Sequence, residues 1–274
     1  MINRNKMTGL GPKETELIAT IGSKGLRVFT VAEAAQLLHI SNTEASQIIH
    51  RLAEKKKLQR IEKAKYLLMP PESWKAGQYT EEGIIIASQL IEPYYLSYWT
   101  ALSFYGWTEQ QSKTIFVATQ KNKLPLEIQG MMIKFIKLKK DKFFSFEDHW
   151  VGSQKVSVAD KEKTIIDCLD QPRYCGEIVE VVKGLWNGRK ELDHEKLLDY
   201  SLKLKNGAVI KRLGYLLDVL ELNKPRTRRE LLKHKTPNYA VLDPGQKKMA
   251  VTRNGDWNLI VNVNPANLTE WRTN

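Results

Sequence analysis

The chain predicts an α+β fold in two parts: a small N-terminal unit over residues 1–76 and a larger mixed α/β domain over 77–274, helix-rich in its second half. Three observations predict it. Two helix-start signatures lie eleven residues apart, at Thr30-Val31-Ala32-Glu33 and Ser41-Asn42-Thr43-Glu44. Adjacent prolines, Pro70 and Pro71, stop the strand pair that follows and set the boundary. From Asp160 onward the apolar pattern is helical almost to the end, after a middle region of short alternating runs.

The first helix starts at Pro12, with acids in its first turn and Gly22 and Gly25 at its end, and covers the small core. In each of the two signatures a hydroxyl residue precedes Glu by three positions, the reciprocal pairing that satisfies free N–H groups at a helix start. The helix after Thr30 buries Val31, Ala34, Ala35 and Leu38, its small alanines admitting a close crossing, and His39-Ile40 forms the corner. After Ser41, Ala45, Ile48, Ile49 and Leu52 fall on one face. The other face presents Thr43, Gln47, His50 and Glu54, with Asn42, Ser46 and Arg51 beside them. Leu58–Ile61 and Tyr66–Met69 read as strands around a tip that carries Lys63 and Lys65.

This is the element order of a winged helix-turn-helix, and double-stranded DNA is the expected partner. Asn42, Thr43, Ser46, Gln47, His50 and Arg51 would reach base edges, where Gln suits adenine and Arg suits guanine. Lys63 and Lys65 would meet phosphates. Small helical hairpins with a β-ribbon also serve as protein-interaction modules, which is the alternative.

In the second region, Glu81–Glu92 reads as a helix stopped by Pro93. Tyr94–Trp107 holds seven of the chain's twenty-four aromatic residues, mixed with Leu96, Ala101 and Leu102 at helical spacing, as in a core helix. Thr114–Thr119 reads as a buried strand, and Met131–Leu138 alternates apolar and basic residues as an exposed strand does. Phe143–Trp150 and Gln154–Val158 complete a small sheet, and a last strand is expected at Leu259–Val263.

A net charge of +12 favours a polyanionic partner. Residues 1–76 hold thirteen Lys and Arg against seven Glu, so the excess is densest where the DNA-reading pattern lies. Arg226, Arg228 and Arg229 form a second basic cluster, a contact for DNA backbone or an acidic protein, or simply a solvated helix start. No apolar run is long enough to span a membrane and the start lacks the apolar core of a signal peptide, which points to the cytoplasm.

Catalytic signatures are lacking: the sequence holds no phosphate-cradling glycine loop, HExxH, paired CxxC or Gly-x-Ser-x-Gly elbow. No enzyme activity and no cofactor are expected. Glu147-Asp148-His149 reads as a solvated strand edge, since neighbouring strand residues point to opposite faces. Cys168 and Cys175, with Pro172 between them, read as buried reduced thiols and not as metal ligands.

Four ordered stretches carry a resemblance over nearly the full length. They are the N-terminal unit; Tyr94–Leu102 with the strand Thr114–Thr119; Val158–Asp167 with Pro172 and Gly176; and Ile210–Leu217 with Leu242-Asp243-Pro244, Trp257 and Asn262. Together they resemble the AbiEi-like antitoxins, transcriptional regulators of type IV toxin–antitoxin (abortive infection) systems. Lys161 and Lys163 depart from the family's usual Pro and Arg around Glu162. The resemblance implies a repressor that binds repeats in its own promoter and counters a nucleotidyltransferase-like toxin, directly or not. On physical grounds Asp160 is a helix N-cap, and Glu162, Thr164 and Asp167 belong to cap and packing. Arg212 is expected to pair with a carboxylate such as Asp167.

Overall fold

A computed structural model describes residues 9–69, 81–128, 130–152, 154–246 and 252–273. The predicted boundary at Pro70-Pro71 and residues 76–77 lies outside these residues, as does the N-terminal stretch before Gly9.

The N-terminal unit runs α1 (Pro12–Ser23), β1 (Val28–Thr30), α2 (Val31–Leu38), α3 (Asn42–Glu54), β2 (Leu58–Glu62) and β3 (Lys65–Leu68). Its three strands form an antiparallel sheet in the order β1-β3-β2. The capping box at Thr30 is complete: its hydroxyl accepts from Glu33 N at 3.2 Å and its own N–H donates to Glu33 Oε2 at 2.6 Å. The second signature is only half realised. Ser41 Oγ accepts from Glu44 N at 3.1 Å, but the Glu44 carboxylate reaches across to Lys13 on α1. A tertiary ion pair displaces the expected local bond. His39, at φ 52°, closes α2 and turns the chain into α3. Ala34, Ala35, Ala45, Ile48, Ile49 and Leu52 form the buried seam, with Val31 and Leu38 packed at its margin.

The body opens with α4 (Glu81–Ser88), β4 (Tyr94–Leu96) and α5 (Tyr98–Phe104). The aromatic stretch is therefore a strand followed by a helix, because its first three residues pair with β5 (Thr114–Thr119). Next come β6 (Leu126–Ile128), β7 (Met131–Lys137), β8 (Phe146–Val151) and β9 (Gln154–Ala159), giving one sheet in the order β6-β7-β5-β4-β9-β8. The Met131–Lys137 strand is not an outer one. It lies parallel beside β5 with β6 on its other side, burying Met131 and Ile133.

One sheet face packs on α4 and also takes in Val28 and Leu67 from the N-terminal unit. The other face meets α5 and α6 (Lys161–Asp170), and on these build α7 (Glu177–Asn187), α8 (His194–Lys203), α9 (Gly207–Val219) and α10 (Pro225–Lys233). The fold is thus mixed α/β with a helix-rich second half. A small sheet, β10 (Ala240–Val241), β11 (Thr252–Asn254) and β12 (Leu259–Val261), and the short α11 (Ala266–Thr269) close the described chain. Among the described residues, no helix is long and apolar enough to cross a membrane.

Asp160 caps α6 as expected, its Oδ1 accepting from Lys163 N at 2.7 Å. Cys168 and Cys175 are buried free thiols, and burial pushes the Cys175 thiol well up. Glu147 and Asp148 lie exposed on β8, the sheet's outer strand. Among the described residues no group of three or more His, Cys, Asp or Glu side chains is arranged to hold a metal ion.

Candidate nucleic-acid interface

The apolar face of α3 is locked into the small core, which leaves the opposite face outward by helical periodicity. Asn42, Thr43, Ser46, Gln47, His50 and Arg51 are all exposed, and together they line one open cleft of about 900 Å³. Its other walls come from Thr30, Val31 and Ala32, at the start of α2, and from Ala64 between β2 and β3. The cleft therefore lies between a helix face and the tip of a β-ribbon. Residues scattered over 34 positions of sequence converge there (30 to 64). Ala64 turns the ribbon at φ 58°.

The lining sets polar side chains of α3 against an apolar wall and carries little charge. Arg51 is restrained: its Nε donates to Glu14 Oε1 at 3.3 Å. Glu14 is 3 % exposed and also accepts from Gly11 N at 2.8 Å and from Lys55 Nζ at 2.6 Å. The Lys55 hydrogen bond, with those from Gly11 and Arg51, holds its carboxyl below the usual range. This acid was not singled out from the sequence, where it reads as an ordinary first-turn residue; only the packing of α1 across the end of α3 gives it two cations. His50 lies 3.7 Å from Glu54.

The two tip lysines part company. Lys63 is exposed, as expected for a phosphate contact. Lys65 is not available for that role, because its Nζ turns inward to Leu90 O at 3.3 Å and sits 3.7 Å from Glu62. Lys63 lies in the turn itself, whereas Lys65 opens β3 opposite Glu62. Glu62 is also paired with Lys123 of the body.

The second basic cluster is largely neutralised. Arg226 pairs with Glu195 at 3.4 Å, and Arg229 lies 3.9 Å from Glu230. Arg228 bridges Asp218 and Asp256, each at 3.1 Å, so it joins α10 to the chain before β12.

Deep in the body, the stretches from Tyr94 and Val158 build a buried polar centre. Asp167 accepts from Ser97 Oγ at 2.8 Å and Tyr95 OH at 3.0 Å and pairs with Lys163, whose side chain is fully buried. Arg212 does not join this set. Its guanidinium donates instead to the backbone carbonyls of Leu169 at 2.7 Å and Val241 at 2.9 Å, stapling α6 and the β10 strand to α9. Asp167 already has three donors, so the expected Arg212 pair does not form.

No family model matches the chain, and no curated protein matches it. Among solved structures, the RV2827C protein from Mycobacterium tuberculosis aligns over 97% of this chain and 96% of its own, with a TM-score of 0.67 and 15% identity. The two chains share a fold. That likeness spans the N-terminal unit and the body together.

Proposed function

We propose that the chain is a transcriptional repressor of its own operon, with residues 1–76 as a winged helix-turn-helix and residues 77–274 as an antitoxin domain. A single observation supports the DNA-binding part: six of the seven outward α3 residues, all but Glu54, line one cleft, walled by the tip of the β-ribbon. A major groove admits a helix at this size, and the ribbon tip then meets the flanking backbone. Lys56, Lys57, Arg60 and Lys63 are exposed around the end of α3 and the ribbon and supply phosphate contacts.

The antitoxin part is supported by the ordered motifs from Tyr94 to Asn262, and its partner is a nucleotidyltransferase-like toxin encoded beside it. The protein acts by binding, not by catalysis. Fluorescence anisotropy with its own upstream DNA tests the first part. Log affinity should fall linearly with log salt, by about 0.9 per phosphate neutralised. Negligible binding at low salt would sink the repressor reading. Co-expression with the neighbouring gene tests the second part, since an antitoxin relieves the growth arrest that its toxin causes.

A further inference from the structure

The chemistry of the cleft says which base pairs it reads. Asn42 and Gln47 bring two carboxamides to it, and Thr43 and Ser46 bring hydroxyls. A carboxamide offers a donor and an acceptor side by side, which matches adenine N6 and N7 in the major groove. Guanine would call for an extended guanidinium fork. The one arginine lining the cleft, Arg51, is held at its Nε by the buried Glu14 carboxylate, which also offsets its charge. Val31, Ala32 and Ala64 add methyl groups to the same walls, and thymine carries the complementary C5 methyl.

We infer that this cleft reads A·T base pairs through Asn42 and Gln47, with Arg51 serving the phosphate backbone; the inference rests on the DNA-binding reading above. Five residues of helix from Asn42 to Gln47 advance about 7.5 Å. Base pairs stack at about 3.4 Å, so the two amides address two or three successive pairs. Thymine methyls of those pairs lie toward the apolar wall.

The test is selection of bound sites by the full chain from a random duplex library, followed by anisotropy on the selected site with single-atom changes. The selected core should be a short A·T run. Replacing one of its adenines by 7-deazaadenine, which lacks the N7 acceptor, should weaken binding roughly five- to a hundredfold. Gln47→Ala or Asn42→Ala should erase that difference at one position and leave affinity for random duplex within about twofold. A G·C core whose preference disappears in Arg51→Ala would overturn the inference while sparing DNA binding. Equal binding to all duplexes would overturn it too, and binding to none at low salt would instead remove the reading beneath it.

Discussion

Residue by residue, several cations that read as free in the sequence are spoken for in the fold. Lys65, Arg228 and Arg212 each read as free or differently paired cations in sequence, and each is taken up by a partner far along the chain. Spacing along a helix exposes local pairs but not these. The acids hold one further consequence. A hydrogen bond from neighbouring Asp243 raises the Glu177 pKa to about 7 from 4.5, with burial adding to it. The fold thus takes up a proton at Glu177. Its contribution is complete below pH about 4.5 and fades as pH rises through 7. Glu177→Gln should therefore gain melting temperature relative to wild type as pH goes from about 5.5 to 8.5. A gap that does not change with pH would show that the two carboxyls do not share a proton.

At the level of elements, long periodic segments and the late strand at Leu259 were legible, whereas the short strands β1, β4 and β6 were not. The four apolar positions of α3 fixed both its buried side and the outward set that lines the cleft. By contrast β1, β4 and β6 have three residues each, too few to complete a pattern, and their partners lie elsewhere in the chain. The cleft was half legible for the same reason. Its α3 wall follows from periodicity, whereas Val31, Ala32 and Ala64 join it only through the pairing of β1 with β3. Close helix packing gives a test at this scale. A Cβ at Gly214 on α9 would lie 2.2 Å from the ring of the buried Trp257. Gly214→Ala should cost about 1–3 kcal/mol in chemical denaturation despite alanine's better helix propensity. A variant as stable as wild type would mean that Trp257 has room to move.

Across the whole molecule, the N-terminal unit and the body are joined more tightly than a two-domain prediction implies. Gln89 Oε1 accepts from both Arg27 N at 2.8 Å and Val28 N at 2.9 Å, and the Glu62–Lys123 pair ties down the ribbon. Val28 and Leu67 are buried among body residues. Removing one acceptor from these two half-buried amides costs about 1–3 kcal/mol. Hydrogen exchange on wild type should thus show β1 and β3 opening together with β4 and β5. In Gln89→Ala the amides of residues 27 and 28 should exchange faster while β5 stays protected. Unchanged exchange at those two amides would show that the Gln89 contact does not hold the junction.

That shared core bears on how the N-terminal unit can be inherited. A self-contained unit can be cut out and joined to a new body with little loss. Here the cut would bare Val28 and Leu67 and strip the acceptor from the amides of Arg27 and Val28. The unit is not portable. Recombination would have to move it together with the sheet it rests on, so its descendants should travel as whole chains.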